Sequence, residues 1–214
     1  MPLPEALDAA EARVLGALIE KEATTPEYYP LSLNALTLAC NQKSNRSPVV
    51  EYDEHTVTSA IDRLRNKHLA AVIVGNGRVH KYAQRISERL NLGRRELAIL
   101  CTLLLRGPQT LGEIKDRSER IFSFSDLEEL ERVLEKMAEF AEGAMVRRMA
   151  RMTGQKEARF AHLLSGEPPA VEGEPAAASY HVSRPAHVEG EIQTLRDEVA
   201  DLKRRLERLE SLFS

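Results

Sequence analysis

Tryptophan is absent from this 214-residue chain, aromatic residues make up only 5% of it, and cysteine occurs twice. Leu, Ala, Glu and Arg dominate instead, a composition that leans towards helix. Cys40 and Cys101 lie inside apolar helical patterns with no second Cys or His at ligand spacing. They are therefore expected as buried thiols rather than as a disulfide or a metal site, which fits a reducing cytoplasm. Long apolar runs are also missing. "LAILCTLLL" (Leu97–Leu105) is far short of the roughly 20 residues a membrane span needs. The acidic start "MPLPEALDAAEA" lacks the basic region and apolar core of a signal peptide. Catalytic signatures are absent too. There is no G-x-S-x-G, no G-x-x-x-x-G-K-[ST], no G-x-G-x-x-G and no metal-binding His spacing. A cytoplasmic, non-enzymatic protein with no cofactor and no membrane contact is the expectation.

Charge is unevenly spread. The formal net charge is −3, yet residues 40–95 carry eleven Lys or Arg against five Asp or Glu. Residues 1–39 and 96–142 are acidic in compensation. One basic segment in a mildly acidic chain points to a local anion-binding surface rather than a cationic coat.

Periodicity and turn chemistry give the element order. Asp8 and Glu11 form a D-x-x-E capping box ahead of a stripe of Ala10, Val14, Leu15, Leu18 and Ile19. "TTPEYYP" ends that helix. Ser32 caps a second helix carrying Leu33, Leu36 and Cys40. After the polar knuckle "NQKSNRSP", Asp53 caps a third helix, whose Val57, Ala60, Ile61 and Leu64 follow the i, i+3, i+4, i+7 pattern of a buried face. "LAAVIV", a "GNG" turn and "RVHKYAQ" then read as a hairpin.

The same order recurs. "RRELAILCTLLLRGP" is a helix, Thr110 and Glu113 box a second, and Ser125 and Glu128 box a third with Leu127, Leu130, Leu134 and Met137 on its core face. "AMVRRMA" and "EARFAHLL" flank a second turn. The predicted fold class is mostly α with small β-hairpins (α+β), as two tandem winged helix-turn-helix domains plus a C-terminal coiled-coil helix. The boundaries are 1–90, 91–164, a flexible linker over 165–187, and the coil over 188–214. Other small α+β modules share this order, and fold does not fix function.

The stretch "YPLSLNALTLACNQKSNRSPVVEYDE" (Tyr29–Glu54) resembles the hallmark of the YceH-like family of bacterial proteins, and "LLLRGPQTLGEI" (Leu103–Ile114) resembles that family's second-domain signature. The resemblance covers roughly residues 8–163. It implies tandem winged-helix domains and carries no activity with it.

In a winged helix the third helix enters the major groove and the hairpin reaches phosphates. The face of helix 3 opposite Val57 carries His55, Ser59, Asp62, Arg63 and Asn66, with Thr58 and Arg65 on the flank. The knuckle adds Lys43 and Arg46, and the wing adds Arg78, His80 and Lys81. The expected nucleic-acid-binding residues are thus Lys43, Arg46, Ser59, Arg63, Arg65, Asn66, Arg78 and Lys81, with double-stranded DNA as partner. Asp53, Glu54 and Asp62 oppose this, and the dozen residues Asn41–Tyr52 exceed the ordinary turn of about 3–4 residues. The rival reading is a protein-interaction scaffold built from winged helices. The third helix of the second domain, "SDLEELERVLEKMAEF", would be repelled by DNA, so a protein-binding or structural role is expected there, with contact through the basic wing alone (Arg147, Arg148, Arg151, Lys156, Arg159) as the alternative.

In the tail, Val188, Ile192, Leu195, Val199, Leu202, Leu206, Leu209 and Phe213 alternate spacings of four and three. Ile192, Val199, Leu206 and Phe213 take heptad position a, and the other four take d. The pairs Glu191–Arg196, Glu198–Lys203 and Arg205–Glu210 are opposite in sign across a parallel seam, so a parallel homodimer is expected. Docking of this helix on its own chain is the alternative.

Overall fold

A computed structural model describes residues 5–74, 80–151 and 157–168. The expected coil with the dimerisation stripe Val188–Phe213, and the expected linker beyond residue 168, lie outside the described residues, as does Arg78 of the expected wing.

Helix α1 (Ala9–Thr24) starts at the predicted box. Asp8 accepts from the Glu11 amide at 2.8 Å, and the Glu11 carboxylate accepts from the Asp8 amide at 2.8 Å. The rest of α1 departs from expectation. Every residue from Glu11 to Glu20 is buried, so α1 is enclosed by neighbours rather than half solvated. Its apolar stripe meets α2 (Leu33–Cys40) and α3 (Glu54–Asn66), while its second face meets α5 (Arg94–Arg106). Gly16 makes that second contact close. A Cβ placed there would lie 2.9 Å from the Leu105 side chain and 3.1 Å from Leu104 Cβ.

The caps of α2 and α3 are Ser32 and Asp53, as predicted, each accepting from the amide three residues on. Val57, Ala60, Ile61 and Leu64 are all buried. A three-stranded antiparallel sheet follows the order β1 (Leu31–Ser32), β3 (Lys81–Gln84), β2 (Ala70–Ile73). The short helix α4 (Ile86–Arg89) leads into α5.

The second half repeats this plan with α5, α6 (Leu111–Ser118), α7 (Leu127–Ala138), β4 (Val146–Arg148) and β5 (Phe160–His162). The likeness extends to the third strand. Gln109, just before the Thr110 cap of α6, bridges Phe160 of β5, as Leu31, just before the Ser32 cap of α2, pairs with Tyr82 of β3. The box opening α7 is shifted by one residue. Asp126, not Ser125, is the cap and accepts from the Glu129 amide at 2.7 Å, while the Ser125 amide and hydroxyl both donate to the Glu129 carboxylate. Leu127, the first residue of the helix, is 47% exposed, and Val133 joins Leu130, Leu134 and Met137 in the core.

The structure is therefore α+β, mostly helical with small antiparallel sheets. All described residues fall in one compact unit, Met1–Gly173. The expected boundary at 90/91 separates the two repeats in sequence, but one buried apolar cluster runs from Leu7 to Leu164 through both. The Leu7 amide donates to the Leu164 carbonyl at 2.7 Å, tying the start of the unit to its end.

At that end, His162 Nδ1 is withdrawn from solvent and has no hydrogen-bond partner among the described residues. Burial pushes its pKa down to about 4. The unfolded chain takes up a proton near pH 6.5 that the folded chain refuses until about pH 4. The stability from this source is full above the unfolded value and drains away as pH falls towards 4. Urea midpoints should fall between pH 7 and 4.5, and His162→Phe should remove about 1–3 kcal/mol of that fall. An identical pH profile in the variant would contradict the assignment.

Candidate nucleic-acid interface

The knuckle after α2 is a folded joint. A helix leaves its last four carbonyls without intrahelical donors, and here side chains supply them. Arg13 of α1 donates to the Cys40 carbonyl at 3.1 Å and to the Pro48 carbonyl at 2.6 Å. Arg46 donates to the Ala39 carbonyl from Nη2 at 2.7 Å and from Nε at 3.2 Å. Cations at a helix C-terminus also complement its dipole. Asn41 closes the loop, its side chain donating to the Tyr52 carbonyl at 2.7 Å and accepting from the Tyr52 amide at 2.8 Å. The far side of the knuckle caps another helix end. The Ser47 amide donates to the Leu105 carbonyl at 2.9 Å, and Arg106 donates to the Asn45 side-chain oxygen.

This overturns one expected site residue. The Arg46 side chain is fully buried and holds Glu20 of α1 at 2.6 Å, so it faces no ligand. Lys43, at the knuckle's surface, is exposed. The α3 cations are exposed but engaged. Arg63 bonds Asp8 at 2.8 Å, and Arg65 bonds Asp62 at 2.9 Å. Lys67, which was not among the expected residues, reaches buried Glu11 at 2.8 Å. Ser59 is half-buried, and Asn66 and Lys81 are exposed. Asp8, Glu11 and Glu20 thus fold onto the basic segment and halve its surplus of six charges.

From sequence, Asp8 and Glu11 read only as a capping box, and they are missed, with Glu20 and Arg13, as partners of the basic segment. Glu11, Arg13 and Glu20 lie on α1 outside its apolar stripe, and all three are buried. The available signal was Gly16 with Ala10, Ala12 and Ala17, small residues that let a second helix approach. Burial also raises both thiols, Cys40 to about 12 and Cys101 higher, so neither is a ready nucleophile.

The second repeat presents a different surface. Glu128, Glu135 and Glu139 of α7 and its cap are exposed beside Arg132 and Lys136. Arg147 and Arg148 of β4 are exposed but pair with Glu167 and Glu131. Among the described residues no group of three or more His, Cys, Asp or Glu is arranged to hold a metal ion, and no helix is long and apolar enough to cross a membrane.

Comparison with known proteins places these features in a family. Residues 7–155 match the family model described as "Protein of unknown function, DUF480". A UPF0502 protein of Solibacter usitatus is 53% identical over 97% of this chain and 98% of its own length. One of Pelobacter propionicus is 48% identical over 97% and 98%. The UPF0502 protein GSU0233 of Geobacter sulfurreducens is 56% identical over 76% of this chain and 74% of its own. The matched span contains the knuckle, both helical triads and the joint between them, and the chain belongs to this DUF480 family, alongside bacterial relatives that carry the name UPF0502.

Proposed function

We propose that each repeat is a winged helix and that the protein binds double-stranded DNA through the first, without catalysis, as a cytoplasmic regulator of transcription. The carrying observation is the surface left after the internal pairs are counted. Lys43 on the knuckle and Lys81 at the root of the wing are exposed and have no carboxylate partner among the described residues. Ser59, Arg65 and Asn66 on α3 lie within the same repeat, and Arg78 is placed in the wing by sequence. The heptad stripe from Val188 to Phe213 supports pairing of two copies, which would double a modest set of phosphate contacts. The acidic α7 surface supports a protein partner for the second repeat.

Binding to random duplex DNA, followed by fluorescence anisotropy across a salt series, tests this reading. Each phosphate contact contributes about 0.9 to the slope of log K against log salt. Lys43→Ala with Lys81→Ala should flatten that slope by about 1.8 per copy, with no change in thermal unfolding. Deleting 188–214 should give a monomer in light scattering and weaken DNA binding. Absence of salt-dependent binding by the wild type at about 50 mM salt would favour the rival, a scaffold whose winged helices bind proteins without touching DNA.

A further inference from the structure

A second group of cations lies where the two repeats meet. Arg106 at the end of α5, Arg117 on α6 and Arg120 just beyond α6 line a small cleft whose wall includes Glu20, Asn45 and Thr102. Arg46 lies behind Glu20. Carboxylates do not balance this set. Glu20 is shared between Arg46 at 2.6 Å and Arg120 at 3.2 Å. Glu113 serves Arg117 at 3.3 Å and, outside the cleft, Arg159 at 2.9 Å. Arg106 has no carboxylate within ion-pair distance among the described residues, and its side chain meets only the amide oxygen of Asn45. Partial burial, followed by the like charges of Arg117, Arg120 and Arg46, lowers its pKa, and the charge of Glu20 only partly opposes this. Four guanidiniums against two carboxylates leave about two positive charges uncompensated.

We propose that this cleft binds a terminal phosphoryl group, as inorganic phosphate or the end of a small phosphorylated molecule, with Arg106 and Arg117 as its principal ligands and Arg120 at its rim. A terminal phosphoryl carries about −1.5 to −2 charges near pH 7, whereas a backbone diester carries one, so the first matches the deficit. Guanidinium forks suit paired phosphate oxygens. The cleft wall holds no aromatic side chain, so the site reads the phosphoryl rather than a stacked base. Because Arg106 touches Asn45 and the Leu105 carbonyl receives the Ser47 amide, an occupied cleft would brace the knuckle that carries Lys43. The site is separate from the DNA surface proposed above and does not depend on it.

Full-length protein in a phosphate-free buffer should show a Tm that climbs with the logarithm of added phosphate or pyrophosphate beyond that of sodium chloride at equal ionic strength. Titration calorimetry should show saturable binding. Arg106→Gln should weaken that binding at least tenfold, and Arg117→Gln, which leaves the knuckle contacts intact, provides the same reading should the first variant misfold. Phosphate effects equal to those of chloride, or unchanged in both variants, would overturn the proposal. No phosphate binding, together with loss of duplex DNA binding in Arg106→Gln and Arg117→Gln, would overturn it in favour of a DNA backbone phosphate at this cleft.

Discussion

Arg46→Ala should lower the unfolding free energy by about 3–5 kcal/mol, the usual cost of breaking a buried ion pair by removing one partner. Three losses coincide. Glu20, with a side chain only 5% exposed, keeps only Arg120 at 3.2 Å and Lys21 at 3.9 Å. The Ala39 carbonyl at the end of α2 loses both guanidinium donors. The knuckle loses the bonds that fold it back on itself, from Arg46 to Gln42 at 3.1 Å and to the Asn45 carbonyl at 2.9 Å. A urea titration should show the midpoint falling by about 2 M for a slope near 2 kcal/mol/M. The double replacement Arg46→Met with Glu20→Leu should recover much of the loss, because an apolar pair of similar volume carries no unpaired buried charge. A single-variant loss below about 1 kcal/mol, the range of exposed pairs, would mean that the pair is solvated. The same experiment separates structure from function in the knuckle. Lys43→Ala should leave the midpoint unchanged and act only on DNA affinity.

Much of the fold was legible because its signals are local. The Asp8–Glu11 and Thr110–Glu113 boxes, the Ser32 and Asp53 caps and the buried face of α3 each need information from within about four residues. The repeat itself was visible as a recurring order of such signals, although its third strand, reduced to the Gln109–Phe160 bridge in the second half, was not. The α7 start was displaced because Ser125 and Asp126 can both cap, and the choice rests on which one takes extended backbone while the other supports Glu129. The site was less legible for a different reason. Arg46 sits among Asn, Ser and Gln, the composition of a solvated turn. Its partner Glu20 is 26 residues away on a helix whose charged face looked exposed. Nothing within a turn's length distinguishes an arginine that meets water from one that caps a helix end and pairs beneath it. The charge surplus of residues 40–95 was real in sequence but partly neutralised in space by Asp8, Glu11 and Glu20.

The close approach of α1 to α5 gives the second large effect, and the molecule supplies its own control. Gly16 and Gly112 both lie within helices, where glycine costs about 1 kcal/mol relative to alanine. Gly112 has nothing within 4 Å of where a Cβ would sit. Gly112→Ala should therefore raise stability by about 0.5–1 kcal/mol. At Gly16 the same atom would meet Leu105 at 2.9 Å and Leu104 at 3.1 Å, and the Gly16 carbonyl lies 3.5 Å from the Cys101 sulfur. Gly16→Ala should forfeit the propensity gain. Gly16→Val, which adds two further methyl groups to a packed seam, should destabilise by about 2–3 kcal/mol through overpacking. Because α1 and α5 open the two repeats and share one core, the loss should appear as a single cooperative transition moved to lower urea rather than as two separated ones. Equal stabilisation by Gly16→Ala and Gly112→Ala would show that α1 and α5 are not in close contact. Two resolved transitions in Gly16→Val would show that each repeat holds a core of its own.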